Sequence, residues 1–333
     1  MMEKILSVSI AAYNAESFLR ECIESVLTSS VAGDIELLVV NDGSTDNTLE
    51  LAKSYKQQYP ESIKIINKEN GGWGSTVNEG IKNATGKYFK LLDADDWFYT
   101  ENLPQYIDAL KKSECDLVIT PFGKYDDDLK KVYAETRYNL SSDKTYDFDD
   151  CADKIEFFMH AFTFKTDVLK TANLHILDKC FYTDVQYVLE GSVNCKSMRY
   201  VDLLIYKYRL GRGGQSCSKE GFVKHHEDHR RVVEHLISYY KEHNFSEAKK
   251  RAWESRIKNL AGAQYLVYSY IRDGERVNRL KEWDARLKEE PIFYDVASKE
   301  ASIMRAFHFK GLDAIDAVFE IMKKIGKVFG KDL

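Results

Sequence analysis

The densest chemistry in the sequence is Asp93-Ala94-Asp95-Asp96, three carboxylates within four residues at the end of the apolar run Tyr88 to Leu92. Carboxylates this close repel one another, and burying them is costly without a cation. A divalent ion resolves the repulsion, and hard carboxylate oxygens suit Mg²⁺ or Mn²⁺. Such an ion can neutralise the charge of a departing diphosphate. An acidic turn that merely caps the next helix has the same composition, so the motif alone leaves both readings open. A second polar turn, Asn41-Asp42-Gly43-Ser44-Thr45-Asp46, follows the apolar run Ile35 to Val40. Asp42 there can accept a hydrogen bond from a base or ribose donor, while Ser44, Thr45 or Asp46 caps the helix that follows. A third turn, Asn70-Gly71-Gly72-Trp73-Gly74-Ser75-Thr76, lacks both the dinucleotide-binding spacing and the Gly-Lys-Ser/Thr of a phosphate loop. It reads as a loop in which Asn70 and Gly72 reach over a ligand and Trp73 either faces a sugar or packs.

A strand–helix alternation must position these turns. Ile5 to Ala11, Ile35 to Val40, Ile63 to Ile66, Tyr88 to Leu92 and Asp116 to Thr120 read as strands. Between them Phe18, Leu19, Cys22, Ile23, Val26 and Leu27 fall at helical spacing, as do Leu49, Ala52 and Tyr55, then Val77, Ile81 and Ala84, then Leu103 to Leu110. Repeated crossovers make the sheet mostly parallel, and ligands of such sheets sit beyond the carboxyl ends of the strands. The turns at Tyr13-Asn14, Asn41 to Thr45 and Asp93 to Asp96 should therefore share one rim. From Pro121 to Asp150 the pattern weakens into acidic loops, and Met198 to Leu210 reads as one strand. After about Gly221 the chain reads as helical. The expected organisation is an α/β domain over 1–215 followed by a helical region over 216–333, the latter for acceptor, membrane or oligomer contacts.

Composition narrows the class. With 333 residues, 44% hydrophobic and 30% charged, the chain can build about two globular domains. Its 48 Lys and Arg against 53 Asp and Glu give a net charge of −5, which argues against a nucleic-acid partner. The six cysteines are scattered, without a C-x-x-C pair. Reduced thiols and the lack of a signal-like leader or membrane-length apolar run lead to the expectation of a cytoplasmic protein.

Together the turns resemble glycosyltransferase family 2 on the GT-A fold. The resemblance rests on SVSIAAYNAESFL, VVNDGSTDNT and NGGWGSTVNEGIKNATGKYFKLLDADDWF, continuous over about the first 100 residues. It implies an inverting, metal-dependent transferase using a nucleoside-diphosphate sugar, UDP foremost. The acceptor would be a glycan or lipid-linked sugar, in bacterial surface polysaccharide synthesis. It also implies that Ala12 and Tyr13 line the base and that Asp42 binds its ring N–H. Asp93 and Asp95 are the family's D-x-D, with Asp95 or Asp96 on Mn²⁺ or Mg²⁺ and Asp93 or Ala94 toward the ribose. Phe181-Tyr182-Thr183-Asp184 is similar to the family's Glu-Asp pair, with Thr183 at the Glu position and Asp184 kept as catalytic base. Val77 stands where the family often has Arg. Tyr206 to Ser216 is similar to the closing segment, in which Arg209 and Arg212 meet the diphosphate.

Inverting transfer needs one carboxylate to take a proton from the acceptor hydroxyl, and Asp184 can do this; an Asp opening a helix can equally be an N-cap. His225, His226 and His229 (HHEDH) do not match H-E-x-x-H and read as a solvated helix face. His160, between apolar neighbours, reads as a core histidine or one approaching the acceptor or metal. Residues 315–331 (IDAVFEIMKKIGKVFGK) read as an amphipathic helix able to touch an anionic membrane weakly from the cytoplasmic side, or to pack on the domain. Two alternatives remain open: a nucleotidyltransferase that makes a nucleotide sugar, and a non-catalytic sugar- or nucleotide-binding partner.

Overall fold

The computed structural model describes residues 4–27, 30–142, 144–294, 299–306 and 309–311. By internal contacts the chain divides into two units, Met1–Gln215 with Phe245–Lys249, and Ser216–Asn244 with Lys250–Leu333.

The first unit opens with β1 (Leu6–Ala12), α1 (Leu19–Val26), β2 (Ile35–Asp42), α2 (Thr48–Gln58), β3 (Ile63–Lys68), α3 (Trp73–Asn83) and β4 (Tyr88–Asp93). It continues with β5 (Trp97–Phe98), α4 (Leu103–Lys112), β6 (Leu117–Ile119), β7 (Phe122–Asp126), β8 (Lys131–Thr136), β9 (Thr145–Asp147), α5 (Phe148–Cys151), β10 (Phe162–Lys165), α6 (Thr166–Thr171), α7 (Asp184–Gly191), β11 (Ser197–Tyr200) and β12 (Tyr206–Leu210). Among the described residues the large sheet runs β3-β2-β1-β4-β10-β6-β11-β9, and β5-β12-β7-β8 form a second. β3, β2, β1 and β4 are mutually parallel, and β10 is antiparallel to both β4 and β6. The apolar content of β1 and β2 follows from this topology, because helices cover both faces of a parallel sheet.

The register explains the shared rim. Ala12 pairs with Asn41, Ala11 with Asp93 and Asn41 with Asn67, so the strands end level with one another. At the β4–β10 seam Lys90 is fully buried, and its ammonium donates to the carbonyls of His160 (2.8 Å) and Phe162 (3.3 Å). Burial alone lowers its pKa to about 7.

Two expectations need correction. Met198 to Leu210 is not one strand: β11 belongs to the large sheet beside β6, and β12 to the second sheet beside β7. The partner strand breaks at the same level, because Pro121 between β6 and β7 offers no N–H to a continuous ladder. The stretch after Pro121 holds the β7–β8 hairpin, closed by Asp126, whose Oδ1 accepts the backbone N–H of Asp128 (3.0 Å) and Leu129 (2.8 Å).

The second unit is helical: α8 (Lys219–Lys224), α9 (His226–Glu242), α10 (Glu247–Tyr270, from Lys250 onward), α11 (Arg276–Lys288), α12 (Pro291–Tyr294) and α13 (Lys299–Ala306). Its interior carries Leu236, Ile257, Tyr265, Leu280 and Trp283. Tyr265 and Arg305 both donate to Asp284 Oδ1, at 2.9 and 2.7 Å. His229 is buried against Gln264 (2.5 Å between Nδ1 and Oε1), so the expected solvated histidine face is only partly solvated. No described helix is long and apolar enough to cross a membrane. The amphipathic segment 315–331 lies outside the described residues.

Candidate active site

The first two turns are stitched to each other. Asn14 takes a left-handed conformation (φ 48°), its N–H donates to Ser44 Oγ (3.0 Å), and its Oδ1 accepts the Thr45 N–H (2.8 Å). Glu16 N–H donates to Asp46 Oδ2 (3.1 Å), while Asn47 N–H donates to Glu16 Oε2 (2.9 Å). Asp46 also accepts the Thr48 N–H at the first residue of α2, but the N-cap position falls to Asn47, one residue beyond the expected candidates. This frame leaves Tyr13 54% exposed on the rim.

Asp42, at the end of β2, is almost wholly buried. Its Oδ1 accepts Lys68 Nζ (2.6 Å) and Gly71 N–H (2.9 Å), and its Oδ2 accepts Gly72 N–H (2.8 Å). Asn70 donates through Nδ2 to the Asp42 carbonyl (3.0 Å). The carboxylate that the resemblance assigns to a base thus also fastens the glycine-rich loop. Val77 is buried in the core, and the cation beside Asp42 comes from Lys68.

A segment absent from the sequence reading lies over that loop. Residues 175–180 are held by a reciprocal pair, Ile176 N–H to Asn78 Oδ1 (2.9 Å) and Asn78 Nδ2 to the Ile176 carbonyl (2.8 Å). Gln186 accepts from Leu177 N–H and donates to the His175 carbonyl, each at 3.0 Å. Lys179 N–H donates to the Gly71 carbonyl (2.6 Å). Contact is so close that a Cβ on Gly74 would sit 2.3 Å from the Leu177 carbonyl oxygen. Gly72, at φ +82°, would bring a Cβ to 3.1 Å from Lys179. This strap leads through Tyr182 (φ 66°) to Asp184. Asp184 is the first residue of α7, with Thr183 at the N-cap, so it does not fill the cap position itself. Gln186 drew no notice in the sequence, and Asn78 stood out only as the residue after Val77, because nothing in an amide's own surroundings names the backbone it will hold.

Strand ends, loop and strap enclose a cavity of about 410 Å³ lined by Ala11, Ala12, Tyr13, Asp42, Asn70, Gly72, Trp73, Thr76, Lys179, Cys180 and Phe181. Five expected ligand-binding residues therefore meet here: Ala12, Tyr13, Asp42, Asn70 and Gly72.

The carboxylate cluster follows β4. Ligand oxygens of Asp93, Asp95 and Asp96 lie within 4.8 Å of one another. Burial, then the charge of Asp95, raises the Asp93 pKa to about 7; the charge of Asp184 adds to the effect, while a hydrogen bond from Trp73 opposes it. That bond runs from the indole Nε1–H to Asp93 Oδ1 at 2.7 Å, so Trp73 is neither simple packing nor only a sugar-facing ring. Asp96 is pushed up in the same way, by burial and then by Asp95 and Asp93. It accepts Tyr206 O–H (2.6 Å) and the Arg209 backbone N–H (2.7 Å). Tyr206 Oη in turn accepts the Asp93 N–H (3.1 Å). Ala94 is buried within the turn and does not line the cavity.

The two arginines separate. Arg209 donates to the Asp95 carbonyl (2.7 Å), Asp127 (2.6 Å) and Glu21 (2.5 Å), and its guanidinium lies 4.4 Å from the Trp97 ring centre. Its side chain is 8% exposed, so in this structure it braces the acidic turn instead of facing a diphosphate. Arg212 forms an ion pair with Asp95 Oδ2, with Nε at 3.0 Å. It stands between Gly211 (φ +91°) and Gly213-Gly214. His160 is buried among Phe122, Tyr206 and Tyr208, at 5.0, 4.9 and 4.2 Å between ring centres, and burial lowers its pKa to about 3. It is a neutral core ring.

A mostly parallel sheet whose strand ends carry a cavity beside an acidic cluster is the arrangement of the GT-A type fold. The model of glycosyl transferase family 2 matches residues 7–180, and the chain belongs to that family. The uncharacterized glycosyltransferase RP339 of Rickettsia prowazekii (strain Madrid E) is 41% identical over 119 residues, 36% of each chain. The uncharacterized glycosyltransferase YibD of Escherichia coli (strain K12) is 28% identical over 212 residues, 62% of this chain and 61% of YibD. These matches thus span about a third to three fifths of the relatives' own length. Among solved structures, S. aureus TarS 1-349 in complex with UDP-GlcNAc superposes with a TM-score of 0.62 at 16% identity, covering 98% of this chain and 92% of TarS. The mannosyltransferase PcManGT from Pyrobaculum calidifontis, in complex with GDP-Man and Mn²⁺, gives 0.54 at 13% identity, covering 89% and 86%. At these identities the likeness is one of fold.

Proposed function

We propose that the protein transfers a sugar, with inversion, from a nucleoside-diphosphate donor to a hydroxyl of a glycan or lipid-linked acceptor, in the setting of bacterial surface polysaccharide synthesis. The observation that carries this reading is the register of β1 and β4. Ala11 lines the cavity and pairs with Asp93, so a nucleotide in the cavity would direct its diphosphate toward the carboxylates. Tyr13 and Phe181, both exposed aromatic rings of the cavity, are the surfaces offered to a base. UDP is the favoured carrier because TarS, similar over nearly the whole chain, binds UDP-GlcNAc.

The donor set fits a hard divalent cation: converging carboxylate oxygens, one of them raised to about 7 by burial and a like charge. Asp95 would hold it as expected, joined by Asp93 in place of the expected Asp96, whose two oxygens already accept from Tyr206 and Arg209. When bound, the ion supplies positive charge for the departing nucleoside diphosphate. Mn²⁺ is favoured over Mg²⁺ by its presence in PcManGT. Asp184 takes the proton of the acceptor hydroxyl as that oxygen attacks the anomeric carbon. The bond from that carbon to the diphosphate oxygen breaks with its electron pair, and Arg212 can turn from Asp95 toward the leaving phosphate.

A panel of UDP-, GDP- and dTDP-sugars with Mn²⁺, read by released nucleoside diphosphate, tests this reading. Release from a UDP-sugar, abolished by chelation, is the expected result. Pyrophosphate release from a nucleoside triphosphate and a sugar phosphate would mark a nucleotidyltransferase; no turnover with tight nucleotide binding would mark a binding partner. The second unit is assigned to acceptor or membrane contacts. Sedimentation with anionic liposomes, comparing the full chain with one ending before Ala314, checks the part given to residues 315–331.

A further inference from the structure

Trp73 belongs to two places at once. Its side chain lines the donor cavity with Tyr13, Asp42 and Phe181, while its indole N–H crosses to Asp93, which does not line that cavity. At 2.7 Å this is a charge-assisted bond of good length when Asp93 is ionised. An indole has one donor and no acceptor, so the bond orients a single carboxylate oxygen, Oδ1, and leaves Oδ2 to turn toward the other aspartates.

The backbone around Trp73 permits little rotation of this donor. Gly72 and Gly74 on either side are pressed against the strap, where a Cβ would meet Lys179 and Leu177. Thr76 Oγ1 donates to the Trp73 carbonyl at 2.6 Å, fixing the first turn of α3. The Asp93 backbone is pinned independently, through its N–H to Tyr206 Oη. Both ends of the indole–carboxylate bond are thus held before any ligand arrives.

We propose that Trp73 is a positioning residue for the cation site, setting the Asp93 carboxylate through its indole N–H from within the wall of the donor cavity. The proposal rests on the metal-dependent reading above. Partners one step removed from a metal commonly change its affinity by about 10- to 100-fold when lost.

The test measures Mn²⁺ affinity of the full chain by electron paramagnetic resonance of the free ion, without nucleotide, so that no phosphate contributes a ligand. Trp73→Phe keeps a ring in the wall and removes the donor; Trp73→His is smaller but restores a ring N–H. Trp73→Phe is expected to weaken Mn²⁺ about tenfold or more, and Trp73→His to recover most of that loss, with unchanged circular dichroism in both. Equal Mn²⁺ affinity in wild type and Trp73→Phe overturns the proposal. So does an equal loss in both variants, which would make Trp73 a space-filling wall. A wild type that binds no Mn²⁺ overturns the metal reading itself, a result distinct from either.

Discussion

Asp42 and Asp93 stand at the ends of β2 and β4, one on each side of β1, and the protein treats them differently. Asp42 receives an ammonium and two backbone amides, enough to satisfy a buried carboxylate without outside help. Asp93 receives one indole N–H, while burial, then the charge of Asp95, raises its pKa to about 7. The first corner is finished and serves as framework. The second sets three carboxylates against the Arg212 guanidinium, which pairs with Asp95, and this excess of negative charge suits the cation proposed there.

Four changes would break or sharpen this contrast. Asp95→Ala should abolish metal-dependent turnover, since losing a ligand costs several kcal/mol of transition-state stabilisation. Its stability should change by less than about 1 kcal/mol, because relief of repulsion offsets the lost pair with Arg212. Full activity at ordinary Mn²⁺ would remove Asp95 from the site. Next, Asp184→Asn should lower kcat by about 10²- to 10⁴-fold while nucleotide affinity measured by calorimetry stays within about twofold. Lost affinity with normal kcat would make it a donor ligand.

Asp42→Ala should act in the opposite manner to Asp95→Ala. It leaves Lys68 with only the Glu69 carbonyl and Ser75 Oγ and removes the acceptor of the Gly71 and Gly72 amides, costing about 2 kcal/mol, readable as a lower denaturation midpoint. An unchanged midpoint would deny Asp42 its framework role. The smallest effect concerns pH. Asp93 binds its proton more tightly folded than unfolded, so between its ordinary value near 4 and about 7 the native state holds more protons. Its contribution therefore falls as pH rises through that window. Asp93→Asn can still accept the Trp73 bond and should gain stability relative to metal-free wild type from pH 4 to pH 8. A constant difference across that range would show that Asp93 ionises normally.

Strand and helix order up to Ile119 was legible because each strand is an apolar run ended by a polar turn, and parallel pairing brings those ends level. Ala12, Tyr13, Asp42, Asn70 and Gly72 could be read as one group for the same reason. Legibility failed where one residue type serves two purposes. Arg209 and Arg212 are two arginines three residues apart on paper; Arg209 is buried by Trp97, Asp127 and Glu21, none of which is near it in sequence. The strand split at Val201 was hidden because its cause, Pro121, lies in the partner strand. Asn78 and Gln186 show no periodicity at all, since what they hold is backbone.

The contact between Gly74 and Leu177 limits how the proposed donor cavity could be reshaped. A side chain at residue 74 has no space to enter, because what it would meet is a main-chain carbonyl, and the chain beyond that carbonyl runs on to Asp184. Even alanine would displace the segment that leads to Asp184, the proposed base, before it changed the shape of the cavity. Variation at the cavity wall is better placed at Phe181, an exposed ring that lines the cavity.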